Sequence, residues 1–151
     1  IIKKIGELFH LHPLVMEDIL NTQQRPKIDE FENYLFLETR SFQYDEASMS
    51  VDSEQVSFVL GRDFLLTFQE RSTGIFEPVR TRLRVSRAHI RELGVDYLAY
   101  ALLDSVVDKY FSVLEDVGDA SEALEGVLLA KPSNAELHSI HQLKRVAVEL
   151  R

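Results

Sequence analysis

The sequence predicts an α/β fold, and three observations lead to it. Two short apolar runs with helical spacing open the chain, between Ile2 and Leu20. Runs rich in β-branched and aromatic residues follow between Tyr34 and Gln69, separated by turn residues. From Val95 the pattern turns helical again and holds to about Ala130. A chain of 151 residues points to one domain with a real core. Its 45% hydrophobic and 28% charged composition is that of a globular protein.

Each element has a local reason. Ile2, Ile5, Leu8 and Phe9 recur at helical spacing, interrupted only by Gly6. Pro13 suits a first helical position, with His12 before it, so Leu14 to Leu20 forms a second short helix. Arg25-Pro26 ends that region, because the residue before proline avoids helical angles. Tyr34 to Tyr44 has an apolar front and then alternates, which predicts a strand buried at one end. Asp45 to Asp52 is a polar connection. Gln55 to Leu60 and Phe64 to Gln69 are strands joined by Gly61-Arg62-Asp63, with Gly61 available for a positive φ.

Ile75 to Val85 returns to helical character, and the arginines at 80, 82, 84, 87 and 91 are expected on a solvated face. Val95 to Ala130 is the longest helix, weakened by about 1 kcal/mol each at Gly118 and Gly126. Lys131-Pro132-Ser133 breaks it, and Ser133 or Asn134 caps a last helix from Ala135.

Composition excludes several function classes. A net charge of -8 opposes nucleic acid as a partner, since phosphate neutralisation needs a basic face. It suits surfaces that attract cations. With no cysteine, disulfides, zinc ribbons and thiol catalysis are out. No run nears about 18 uninterrupted apolar residues, the length that spans a bilayer. The start Ile1-Ile2-Lys3-Lys4 lacks an initiating Met, and Arg151 falls inside a helical pattern, so both ends are expected to be cut from a longer protein. Gly-x-Ser-x-Gly, a phosphate-cradling glycine loop and His-Glu-x-x-His are all absent, and no catalytic pair stands out among the acids. The chain reads as a non-enzyme with no catalytic or cofactor-binding residues.

The acids carry the remaining signal. At about 100° per residue, Asp104, Asp108, Glu115, Asp119 and Glu122 fall within a sector of roughly 60° on the long helix. Leu103, Val106, Tyr110, Val113, Val117, Leu124 and Leu128 lie opposite and are expected to be buried. Between Asp96 and Glu125 the only basic residue is Lys109. Such a stripe repels itself at i,i+4 spacing. Arginines from the preceding segment or hydrated divalent cations would offset it; magnesium needs only one or two carboxylates because it keeps several waters. The pattern alone favours a solvated acidic face.

Glu17 and Asp18 point about 100° apart on their helix, so they are a poor chelate but can face two different surfaces. They too read first as exposed positions. His138 and His141 share a helix face, yet a zinc site needs a third protein ligand that the sequence does not offer. His10 and His12 flank a helix junction and read as capping or core-edge residues.

A series of strings runs in order along the chain: His12-Pro13-Leu14-Val15 with Glu17-Asp18-Ile19-Leu20-Asn21, Gln24-Arg25-Pro26-Lys27, Phe31-Glu32-Asn33-Tyr34 and Ser53-Glu54-Gln55-Val56-Ser57. Phe68-Gln69-Glu70, Pro78-Val79-Arg80, Asp96-Tyr97-Leu98, Val107-Asp108 and His141-Gln142-Leu143-Lys144-Arg145 complete it. Taken together and in this order, the strings closely resemble the CorA family of magnesium and cobalt transport proteins.

The resemblance implies an α/β/α sandwich around a mainly antiparallel or mixed sheet, followed by long helices leading into a stalk helix. It implies residues 1–133 as part of a cytoplasmic regulatory domain and residues 134–151 as the truncated start of the stalk. The first strands of that domain are expected to precede Ile1. The whole protein implied is a homopentameric channel for Mg2+, often also Co2+ or Ni2+. Two membrane helices and a Gly-Met-Asn motif are expected beyond Arg151, so this stretch sits at the cytoplasmic face of the membrane and cannot itself conduct ions.

Regulatory divalent ions in the family sit between neighbouring subunits and favour the closed state. Carried over by position, Asp18 is the main acidic ligand, with its partner aspartate beyond Arg151. Glu17 and Asp104 match a second, more hydrated site. The related zinc-transporting branch, and a plain oligomerisation module without an ion site, are the competing readings.

Overall fold

The computed structural model describes residues 1–85, 89–130 and 134–150. They form α1 (Ile2–Leu8), α2 (Pro13–Leu20), β1 (Lys27–Glu30), β2 (Tyr34–Asp45), β3 (Ser50–Gly61), β4 (Leu65–Gln69), α3 (Glu77–Arg84), a 3-10 turn at His89–Arg91, α4 (Gly94–Ala130) and α5 (Asn134–Glu149). The strands make one sheet in the order β1-β2-β3-β4, with β1/β2 and β3/β4 antiparallel. The α/β expectation therefore holds. The Lys131-Pro132-Ser133 break, a cap at Ser133 and the arginine at 87 lie outside the described residues.

The chain divides into two compact units: Ile1–Ser41 with Glu54–Val106, and Phe42–Ser53 with Val107–Arg151. In the first, Leu11, Val15, Ile19, Tyr34, Phe36 and Val59 form a core cluster joining α2 to the sheet. Val15, Phe36 and Val59 are almost wholly buried, each contributing roughly 1.5–3 kcal/mol by removal of apolar area from water. The α2 entrance is built as its sequence requires. Pro13 opens the helix, the His12 ring accepts from the Leu14 N–H at 3.3 Å, and the His12 N–H donates to the Tyr34 hydroxyl at 2.8 Å. Gly6 is buried where α1 meets α2, and a Cβ there would run into the Met16 sulfur. The apparent defect in the first helix is a close-approach position.

In the second unit, Val113 and Val146 are fully buried. The Phe42 ring meets Tyr110 edge-on at 5.2 Å, and the Gln142 side-chain amide donates to the Ser48 carbonyl at 3.1 Å. The turn between β2 and β3 is held by Asp45, which accepts from the Ala47 N–H and the Ser48 hydroxyl.

Three strand expectations need correction. β1 was not anticipated: Lys27-Ile28-Asp29-Glu30 contains one apolar residue, itself exposed, and pairs with β2 as an edge strand. The polar connection is shorter than expected, because β3 begins at Ser50 and buries Glu54, Gln55 and Ser57 along with its apolar residues. Gly61 does not adopt a positive φ; its requirement is space, since a Cβ would collide with the Phe64 ring. The positive-φ glycines are Gly74 and Gly94.

Along α4, Asp104, Asp108, Glu115, Asp119 and Glu122 are all exposed, whereas the seven apolar residues expected opposite them are buried or half-buried. The amphipathic reading of that helix holds residue by residue. On α3, Arg80 and Arg84 pair with Glu77 of their own helix at 2.8 and 3.5 Å, as a solvated face would.

Candidate metal centre

Glu17 and Asp18 lie in the C-terminal half of α2, where the helix's partial negative charge disfavours acids. Glu17 is exposed. Asp18 is treated differently. Its Oδ2 takes the Lys27 ammonium at 2.6 Å, and its Oδ1 takes the Gln24 side-chain amide at 3.2 Å. The same ammonium reaches Asp29 Oδ2 at 2.9 Å. Two carboxylates from different elements thus converge on one cation. The hydrogen bonds to Asp18 and then Asp29 hold the Lys27 ammonium well above the usual lysine range, against a smaller opposing effect of burial.

The backbone beneath is fixed. The Asn21 N–H donates to the Glu17 and Asp18 carbonyls at 2.9 and 3.1 Å, closing α2. Gln55, buried in β3, also donates its side-chain amide to the Asp18 carbonyl at 3.1 Å. Arg40 of β2 donates to the Thr22 and Gln24 carbonyls at 3.1 and 3.3 Å, pinning the loop that delivers Lys27. Lys27 is the first residue of β1, opposite Glu38 in the β1/β2 register, and its ammonium stands 5.7 Å from the centre of the Phe36 ring.

Behind this rim is a buried polar column. The Gln55 amide nitrogen donates to Glu38 Oε1 at 2.9 Å and approaches the Ser57 hydroxyl at 3.3 Å. Glu38 Oε2 and Gln55 Oε1 are buried with no hydrogen-bond partner among the described residues. Burial first, and the nearby Asp18 charge second, push the Glu38 carboxyl above the ordinary carboxylate range.

Asp104 is exposed on α4. Among the described residues no group of three or more His, Asp or Glu side chains is gathered closely enough to hold one ion, so Glu17, Asp18 and Asp104 do not form such a group. His138 and His141 are both exposed and likewise belong to no such group. Sequence reasoning missed Lys27, Asp29 and Glu38. The alternation of Lys27 and Asp29 about Ile28 was the available signal for β1, but one apolar residue gave it little weight. Among the described residues, no helix is long and apolar enough to cross a membrane.

A family model described as CorA-like Mg2+ transporter protein matches residues 2–151. The chain is 46% identical over 151 residues to the cobalt/magnesium transport protein CorA of Thermotoga maritima, covering 100% of this chain and 43% of that protein. It is 29% identical over 150 residues to the magnesium transporter ALR1 of Saccharomyces cerevisiae, covering 97% of this chain and 17% of that protein. The chain thus spans less than half the length of these curated relatives. Its fold matches the soluble domain of CorA from Methanocaldococcus jannaschii with a TM-score of 0.80 at 19% identity, over 97% of this chain and 58% of that one.

Proposed function

The chain belongs to the CorA-like Mg2+ transporter family, and from that premise we propose that it is the cytoplasmic, divalent-cation-sensing part of a homopentameric magnesium and cobalt channel. The observation that carries the proposal is the extent of the family match, residues 2–151, which takes in Glu17, Asp18 and Asp104 together. The transported ion and the regulatory ion are the same species, Mg2+ or a related divalent cation.

Asp18 is the principal acidic ligand, at a boundary between subunits. Its donor type fits: carboxylate oxygens are hard ligands, and Asp18 with Asp29 already gathers a cation, the Lys27 ammonium. Magnesium keeps several waters and needs few protein oxygens, so one or two carboxylates per subunit face suffice. Glu17 and Asp104, both exposed, serve a second and more hydrated position.

The mechanism is linkage. Ions bridging like-charged faces stabilise the symmetric closed assembly, since they bind that state and not the loosened one. When cytoplasmic magnesium falls, the ions leave and repulsion between the carboxylates rises. The domains then move away from the closed arrangement, and uptake resumes. Membrane crossing belongs to segments outside this stretch.

In the full-length protein, Mg2+ on the order of millimolar, as expected for a sparse oxygen site, should raise the thermal midpoint. Asp18→Ala combined with Asp104→Ala should abolish that rise. An undiminished rise in the double variant would refute the assignment. One observation favours a competing reading, an assembly module with no ion site: Asp18 is already paired with Lys27. That reading expects no Asp18-dependent response to Mg2+ at all.

A further inference from the structure

We infer that Lys27 is a tethered counter-cation: its ammonium sits where a divalent ion would bind at Asp18, so ion binding is an exchange of Lys27 for the ion, with Asp29 freed as a second oxygen donor. The inference rests on the ion-sensing proposal and adds to it a built-in competitor and an unassigned ligand. It follows from geometry. Lys27 Nζ lies 2.6 Å from Asp18 Oδ2 and 2.9 Å from Asp29 Oδ2, so both oxygens already surround one positive centre. One hydrated magnesium ion in that place can bind one oxygen directly and reach the other directly or through a retained water.

Exchange is mechanically simple. The Lys27 side chain is 34% exposed and Asp29 44%, so the ammonium has a path to solvent without unfolding the strand. Its four-carbon stem is flexible, and the head is strongly hydrated once released. Asp18 is the more enclosed partner, at 16% exposure, and its backbone is held by Asn21 and Gln55, so the carboxylate stays in place while its cation changes.

Charge balance gives the exchange a direction. Two carboxylates and one ammonium leave a net charge of -1; two carboxylates and one divalent ion leave zero. The incoming ion must displace an existing ion pair, which lowers the apparent affinity by the fraction of sites that lysine leaves open. Lys27 thereby sets the concentration at which the site responds and excludes weaker competitors such as monovalent ions.

The test titrates Mg2+ alone into the protein by calorimetry, comparing wild type with Lys27→Met, which keeps an unbranched stem over Phe36. Lys27→Met should tighten Mg2+ binding at least tenfold. Adding Asp18→Asn should remove that binding, and adding Asp29→Asn should weaken it at least threefold. As a check free of any substitution, amine-reactive labelling of wild type at fixed pH should show Lys27 reacting faster when Mg2+ is present, with Lys3 and Lys4 unchanged as internal references. Equal or weaker Mg2+ binding by Lys27→Met, or Lys27 labelling indifferent to Mg2+, would overturn the inference. Binding that depends on Asp18 in wild type but is unaltered by Lys27→Met defeats the exchange and leaves the ion-sensing proposal standing. Absence of Asp18-dependent binding in wild type and Lys27→Met alike defeats both.

Discussion

Replacing Glu38 with glutamine should stabilise the protein at neutral pH, although it removes a native charge from the middle of a sheet. Glu38 is 2% exposed and Gln55 is 3% exposed. One bond joins them, from the Gln55 amide nitrogen to Glu38 Oε1, and Glu38 Oε2 and Gln55 Oε1 stay buried without a hydrogen-bond partner among the described residues. A proton on Glu38 removes the buried charge and turns a carboxylate oxygen into a donor, and the carboxyl's affinity for that proton is raised by burial and then by Asp18. Because the folded state holds that proton to higher pH than the unfolded chain does, the stability it gives is complete below the ordinary carboxyl value. That stability is lost as pH climbs through the raised value.

Glutamine has the donor permanently and carries no charge. A buried unsatisfied polar group costs about 1–3 kcal/mol, so Glu38→Gln should recover an amount of that order at pH 7.5. For a chain of this length each kcal/mol moves the thermal midpoint by about 2–4 °C, which makes the rise several degrees. Melting curves from pH 4 to 8 in metal-free buffer test it. The gain should shrink towards zero at pH 4, where wild-type Glu38 is itself protonated. A lower midpoint at pH 7.5, or a gain independent of pH, would refute the reasoning.

Two further substitutions probe what holds α2 and β3 in place. Tyr34→Phe removes the hydroxyl that accepts from the His12 N–H at 2.8 Å. It should cost about 1–2 kcal/mol in denaturant unfolding, since a partly buried N–H is left without its partner. Glu54 is 2% exposed and takes the Thr73 hydroxyl at 2.6 Å and the Arg71 N–H at 3.1 Å. Glu54→Ala should therefore speed amide exchange at Arg71 and neighbouring loop residues while leaving α2 protected. Uniform acceleration across both regions would mean that Glu54 supports the whole unit instead of that loop.

Much of this architecture was legible in the sequence because apolar spacing and packing agree there. The amphipathic division of α4 and the Pro13 entry to α2 follow directly from local pattern. The two missed strand features depend on polar groups and not on apolar periodicity. β1 has little hydrophobic signal and is defined by pairing with β2 and by Lys27 standing between Asp18 and Asp29. β3 buries Glu54, Gln55 and Ser57 in succession with its apolar residues, which no period-two alternation anticipates. Gly61 was read for its backbone freedom, but the Phe64 ring three residues on decides its role through space. At the candidate site, the resemblance identified acids and could not identify the base that neutralises one of them.

That base changes what the acids mean. Glu17 and Asp18 are adjacent in sequence, yet one is exposed and the other is held by a lysine nine residues on. The difference is built below them. Gln55 reaches from β3 to the Asp18 carbonyl and, through the same nitrogen, to Glu38, so the end of α2 is fastened to the sheet through its main chain and not through the carboxylate, which pairs with Lys27 and Gln24. The proposed sensing role would need this combination of a ligand held in position and a cation that can exchange. Glu38 adds a constraint from beneath, because its proton and the charge at Asp18 influence each other. A divalent ion exchanged for the Lys27 ammonium at Asp18 would place one more positive charge there and weaken the second of the two effects that raise the Glu38 carboxyl. Mg2+ should therefore flatten the pH dependence of stability that Glu38→Gln abolishes outright, and melting curves with and without the ion across pH 5 to 8 would show whether the two effects share one origin.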